Sequence, residues 1–121
     1  MELFLRLCPA RTIAVTGSDG KTTTTSIIAA MLRNGGRKTY LGGNIGVPLL
    51  EYTDEMTEDD FAVVELSSFQ LMTLHERVDI AVITNLAPNH LDWHSNIDEY
   101  IDAKCNLFRY QTPQCRLVLN A

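Results

Sequence analysis

The sequence predicts an α/β fold in which a mostly parallel sheet is covered by helices on both faces. Three observations predict it. Residues 12–16, 61–66 and 79–84 form largely apolar runs without strict alternation, the pattern of strands covered on both sides. Helical patterns separate the runs at short spacing, which calls for right-handed crossovers between parallel strands. The first run breaks directly into Gly17-Ser18-Asp19-Gly20-Lys21-Thr22. A strand, a glycine turn and a helix start in that order aim backbone N–H groups and the positive end of a helix dipole at one point, and the lysine adds a full charge. The expected architecture is therefore a P-loop three-layer α/β/α sandwich. The strict pattern G-x-x-x-x-G-K-[ST] places a glycine where Val15 stands, with Gly17 two residues later, so the loop is a variant.

Composition sets outer bounds. The 121 residues, 45% hydrophobic and 21% charged, fit one soluble domain with a single core. A net charge of −5 with no basic stripe argues against general nucleic-acid binding. Cys8, Cys105 and Cys115 lack C-x-x-C spacing, which suits free thiols and a cytoplasmic location. No targeting segment or membrane span is visible, and no membrane insertion is expected.

Taken in order, residues 1–11 form a leader whose residues 2–8 fit either a short helix or an edge strand, stopped by Pro9. Residues 12–16 are the first strand. The helix after the loop starts near Lys21, with Ile27, Ile28, Met31 and Leu32 as its apolar face and Asn34-Gly35-Gly36 as its stop. Its threonines, weak helix formers, can serve phosphate, metal or unpaired N–H groups at the N-terminus. A second strand spans 38–41 and runs into Gly42-Gly43-Asn44-Ile45-Gly46, a loop built for geometry alone or for close approach to a ligand. A short helix over 47–52 leads to the acidic run 54–60, read as a solvated connector.

The third strand, 61–66, carries Glu65 inside an apolar run. An unpaired buried carboxylate is costly, so Glu65 should meet a cation or hydrogen bonds. Beside a phosphate loop that suggests Mg²⁺, directly or through water, while a structural carboxylate capping the next helix is the other reading. Ser67 or Ser68 caps that helix, with Leu71, Leu74 and Val78 near one face. The fourth strand, 79–84, ends in the polar loop 85–96, a second candidate site because ligands gather at the carboxyl ends of parallel strands. His90 and His94 lie four apart, but Leu91 replaces the glutamate of a zinc-peptidase motif, and no zinc site is expected. The last helix runs over 97–110, opened by Ser95 and Asp98 in capping-box spacing. Projected at about 100° per residue, Ile97, Tyr100, Ile101, Cys105 and Phe108 share an arc that also contains Lys104, which can snorkel from it. Residues 116–120 are a fifth strand.

The motifs Thr16-Gly17-Ser18-Asp19-Gly20-Lys21-Thr22-Thr23, Gly43-Asn44-Ile45-Gly46, Val64-Glu65-Leu66-Ser67-Ser68-Phe69-Gln70, Asn89-His90-Leu91-Asp92 and Ala103-Lys104 occur in that order. Their order and content resemble the Mur ligases, ATP-dependent amide-bond ligases of peptidoglycan precursor synthesis, and most of all the D-glutamate-adding branch. The resemblance covers residues 12–121 and implies part of the family's central ATP-binding domain. It implies that Lys21 and the loop from Gly17 through Ser18, Asp19, Gly20, Thr22 and Thr23 hold the ATP phosphates, with Thr22 and Glu65 on one Mg²⁺. It also implies His90 on a second Mg²⁺, Asn44, Ser67 and His90 at the nucleotide-sugar substrate, and Lys104 as the family's carbamylated lysine, an anionic oxygen ligand.

The implied reaction phosphorylates the carboxylate of UDP-MurNAc-L-alanine with ATP, after which the D-glutamate amine attacks the acyl phosphate. Lys21, His90 and Lys104 are the implied catalytic residues. Where the family loop carries Thr-Asn this chain has Ser18-Asp19, so Asp19 is expected to turn away from bound phosphate. The family's amino-terminal and carboxy-terminal domains have no counterpart here, and the chain alone is expected to lack ligase activity. The loop and Glu65 by themselves also allow another P-loop enzyme, such as a kinase or a folate-type polyglutamate ligase, or a non-catalytic nucleotide-binding module.

Overall fold

The computed structural model of the protein describes residues 2–43, 49–72, 74–85 and 97–119. Helix α1 spans Glu2–Leu7, strand β1 Arg11–Thr16, helix α2 Lys21–Asn34, strand β2 Thr39–Gly43 and strand β3 Phe61–Glu65. Helix α3 covers Ser68–Leu71, strand β4 Ile80–Ile83, helix α4 Ile97–Arg109 and strand β5 Arg116–Leu119. All pairings are parallel and the order is β2-β3-β1-β4-β5. The chain leaves central β1 toward β2 and β3 on one side and reaches β4 and β5 on the other. The segments leaving β1 and β3 and residues 84–85 after β4 therefore meet at the carboxyl end of the sheet, where parallel α/β proteins place ligands.

Alternate residues of the strands feed two cores. Ala14, Val64, Ala81 and Ile83 join Phe4, Leu71, Leu74 and Leu107 on one face. On the other, Ile13 and Val63 pack with Ala29 of α2, flanked by Ile28 and Leu32. The leader is helical, and Phe4 and Leu5 at 4% and 7% exposure bury it in the core. Helix α2 closes as expected, with Arg37 N–H donating to Leu32 O and Gly36 N–H to Arg33 O, the paired bonds that end a helix at a glycine.

Several expectations need correction. The inward face of α2 is Thr25, Ile28, Ala29 and Leu32, whereas Ile27 and Met31 are exposed. The i, i+3, i+4, i+7 set that includes a threonine and an alanine fits closer to the sheet than the bulkier set. Helix α3 stops at Leu71 instead of carrying Leu74 and Val78. Asn106 of α4 explains the stop: its amide donates to Leu71 O at 2.6 Å and Met72 O at 3.3 Å, giving those carbonyls partners that a longer helix would otherwise supply. Leu74 and Val78 still reach the core from non-helical chain.

The same bond sets the rotation of α4. Its described inward residues are Ala103, Asn106 and Leu107, while Cys105 and Phe108 are half-buried. Hydropathy alone leaves Asn106 off the inward side, because a buried asparagine with two carbonyl partners counts as polar, while the side chains of Ile97, Tyr100, Ile101 and Lys104 lie outside the described residues. The 54–60 connector is not wholly solvated either, since Met56 and Asp60 are 6% and 7% exposed. The Asp60 carboxylate accepts from Thr57 N–H at 2.9 Å, closing a turn. Of the helix expected over 47–52, Leu50–Tyr52 form a 3₁₀ turn, and residues 44–48 lie outside the described residues. Strand β2 begins and ends later than expected, and β4 begins one residue later because Asp79 instead bonds Thr12 through backbone and side chain.

All three cysteines are free. Cys8 lies 3.6 Å from both Ala10 O and Met56 Sδ. Burial pushes its thiol up, only partly offset by a hydrogen bond with the Ala10 backbone, with nearby Asp79 adding to the rise. Because the thiolate is the nucleophile, Cys8 is expected to alkylate with iodoacetamide at pH 8 about threefold or more slowly than Cys115. Peptide mapping over time checks this, and equal rates would contradict it.

Candidate functional site

The site begins where β1 ends. Val15 is paired with Glu65 of β3 and Thr16 with Ile83 of β4, so the glycine loop emerges between two strand ends. Gly17 makes that exit possible, because a Cβ there would collide with Thr84 Oγ1. Gly20 is the N-cap of α2, and among the described residues no side chain caps the helix. Its first-turn N–H groups thus face the loop without a side-chain acceptor, the arrangement that favours an anion. Lys21 opens the helix and folds back, donating from Nζ to Gly17 O at 3.0 Å.

Glu65 supplies the negative counterpart. It is 4% exposed at the end of β3, and Thr22 Oγ1 donates to its two carboxylate oxygens at 2.9 and 3.1 Å. That hydroxyl is the partner the buried acid required. Beside it, Gly43 at φ 95 lets β2 close on the Glu65 backbone, with Glu65 N only 2.7 Å from where a Cβ would sit. Thr25 takes no part: it bonds back to Lys21 O and Thr22 O inside the helix.

The structure brings Gly17, Ser18, Asp19, Gly20, Lys21, Thr22, Thr23 and Glu65 together at one sheet end. Asp19 is exposed. Ser67, two residues beyond Glu65, forms a capping box: Gln70 N–H donates to Ser67 Oγ at 3.2 Å and Ser67 N–H to Gln70 Oε1 at 3.0 Å. Ser67, not Ser68, is therefore the cap. Ser67→Ala is expected to cost about 1 kcal/mol, measured by urea denaturation. Asn44, His90 and the His94 pairing fall outside the described residues, as does the Ser95 cap. Lys104 belongs to α4, but its side chain also lies outside them.

Two residues of the site were given no role from the sequence, although Asn85 opens the 85–96 loop read as a second candidate site. Asn85 Oδ1 accepts from Ser18 N–H at 2.8 Å and Asp19 N–H at 3.0 Å, and Thr84 Oγ1 donates to Asp19 O at 2.7 Å. The signal available was a polar Thr-Asn pair ending a strand that neighbours β1.

Oxygen donors dominate the candidate metal position. Among the described residues no three of His, Cys, Asp and Glu stand together. Magnesium does not require such a cluster: one carboxylate and a hydroxyl suffice when phosphates and water complete its shell. Glu65 and Thr22 fit that chemistry.

A parallel sheet whose first strand runs into a glycine loop, with lysine opening the helix and an acid ending the neighbouring strand, defines a P-loop three-layer α/β domain. More narrowly, the Mur ligase middle domain matches residues 15–121, and the chain belongs to that family. The UDP-N-acetylmuramoylalanine–D-glutamate ligase of Acetivibrio thermocellus is 57% identical over 120 residues, 99% of this chain and 26% of that protein. The ligase of the same name from Ruminiclostridium cellulolyticum is 58% identical over 120 residues, with the same coverage. The chain thus spans about a quarter of the length of these relatives, 26%. Among solved structures, UDP-N-acetylmuramoyl-L-alanyl-D-glutamate–2,6-diaminopimelate ligase superposes with a TM-score of 0.70 at 27% identity, covering 93% of this chain and 27% of that one. MurF ligase from Thermotoga maritima, in complex with ADP, shares the fold with a TM-score of 0.73 at 20% identity, over 98% of this chain and 30% of that one.

Proposed function

We propose that the chain is the nucleotide-binding part of an ATP-dependent ligase that adds D-glutamate to UDP-MurNAc-L-alanine in peptidoglycan precursor synthesis. The observation that carries the reading is the buried Glu65 carboxylate held on Thr22, one residue from Lys21. The names of relatives 57% and 58% identical support the choice of substrates. The chain's work is cytoplasmic in this reading. Among the described residues no helix is long and apolar enough to cross a membrane.

In this mechanism the first-turn N–H groups of α2 bind the triphosphate, and Lys21 leaves the Gly17 carbonyl for a terminal phosphate oxygen. Thr22 and Glu65 would hold Mg²⁺, which when bound neutralises phosphate charge. The substrate carboxylate oxygen attacks the γ-phosphorus, the bond to ADP breaks, and an acyl phosphate results. The D-glutamate amine then attacks the acyl carbon, loses a proton and expels phosphate. Catalysis on this account is positioning plus charge neutralisation. Asn44, Ser67 and His90 are assigned to the sugar-nucleotide substrate, and His90 and Lys104, the latter as a carbamate, to a second Mg²⁺. Ser67 Oγ retains acceptor capacity for such a role beside its cap.

The test is a chimera in which this chain replaces the aligned segment of the A. thermocellus relative. It should form the amide product from MgATP, UDP-MurNAc-L-alanine and D-glutamate, and Lys21→Ala should remove that activity. A folded chimera that binds ATP but makes no amide would overturn the assignment. The 121-residue chain by itself should yield no amide product, since it spans 26% of the relatives.

A further inference from the structure

The end of β4 grips the loop at several points. The Asn85 carboxamide accepts Ser18 N–H at 2.8 Å and Asp19 N–H at 3.0 Å through Oδ1, and its Nδ2 reaches Asp19 O at 3.4 Å. Thr84 Oγ1 donates to the same Asp19 carbonyl at 2.7 Å, and Ser18 N–H also lies 3.2 Å from Asn85 O. Ser18 is 3% exposed, so its N–H needs a protein partner. Thr84 Oγ1 occupies the space a Gly17 side chain would take.

We propose that Thr84 and Asn85 are positioning residues that preshape the phosphate loop for nucleotide, an inference that rests on the nucleotide-binding reading above. Two effects follow from their geometry. Pinning the Asp19 carbonyl toward β4 keeps its partial negative charge away from an incoming phosphate. Engaging the Ser18 and Asp19 N–H groups fixes the loop backbone while leaving the first turn of α2, which no side chain caps among the described residues, to meet the anion. A loop ordered in advance loses less freedom on binding.

The test uses the 121-residue chain and two readouts. In Asn85→Ala, amide exchange at Asp19 should quicken about tenfold or more without nucleotide, with a smaller rise at Ser18, whose bond to the residue-85 carbonyl remains, while the β3 amides keep wild-type rates. MgADP affinity should fall about tenfold. Thr84→Val should weaken MgADP binding about threefold and Thr84→Ser should restore it. Exchange that quickens throughout β3 would mark a general loss of fold and overturn a local clamp, unless Thr84→Val and Thr84→Ser still differ. Tighter MgADP binding by Asn85→Ala would show that Asn85 competes with phosphate for the loop, and would overturn the proposal. Wild type that fails to bind MgADP would sink the nucleotide reading and the affinity claim with it. Wild type that binds, with Asn85→Ala binding equally, would sink the clamp alone.

Discussion

Lys21→Ala should lower the affinity of the chain for ATP by about a hundredfold while leaving the fold in place. The side chain stands at the first position of α2, and its ammonium bonds Gly17 O at 3.0 Å. A charge-assisted hydrogen bond to phosphate contributes about 1.5–3 kcal/mol, and a factor of ten corresponds to about 1.4 kcal/mol. Removing that contact and the point charge at a helix N-terminus accounts for the hundredfold loss. Lys21 is half-buried and packs in neither core cluster, so the unfolding midpoint should move by only a few degrees. Displacement of a fluorescent ATP analogue measures the affinity; a change below threefold would remove Lys21 from the site.

Gly43→Ala should be among the most damaging single changes for stability. At φ 95 an L side chain is strained, and its Cβ would sit 2.7 Å from Glu65 N and closer still to Glu65 O. Both are backbone atoms of a central strand, held by the Gly43 to Glu65 register, and neither can rotate away. Strain of about 1–2 kcal/mol and a steric cost of about 1–3 kcal/mol together predict a loss near 3 kcal/mol. For a domain of this size that lowers the thermal midpoint by roughly 10 °C. Gly35→Ala is the control: its φ is −83 and its nearest neighbours lie at 3.5 Å, so it should be close to neutral. Thermal denaturation followed by circular dichroism compares the two. Because β2 would part from β3 beside Glu65, Gly43→Ala should also weaken nucleotide binding.

These two residues show what was legible in the chain and what was not. Lys21 and Glu65 could be read directly, because a lysine after a glycine loop and an acid inside an apolar strand each break a local rule that only a ligand or partner repairs. The strands were legible for a similar reason, their apolar runs leaving no alternative to burial on both faces. Rotation and length of the helices were not. Asn106 fixes both the stop of α3 and the inward face of α4 through bonds to Leu71 and Met72, across more than thirty positions. Hydropathy gives a buried asparagine the wrong sign, so tertiary hydrogen bonding overrode the periodic pattern. Thr84 and Asn85 were hidden by the same distance: their importance depends on β4 lying beside β1, which sheet order alone reveals. Gly43 was visible as a glycine, but its specific need arises only from the approach of Glu65.

The central claim is that Lys21, Thr22 and Glu65 form one magnesium-dependent nucleotide site. Calorimetric titration of the chain with ATP, in excess Mg²⁺ and again in EDTA, tests it most directly when repeated with Glu65→Gln, which keeps an acceptor for Thr22 but removes the charge. The account predicts that wild type binds about tenfold or more tightly with Mg²⁺ than without, and that Glu65→Gln abolishes the difference. Equal affinity in Mg²⁺ and EDTA for wild type, or an undiminished Mg²⁺ effect in Glu65→Gln, would contradict it.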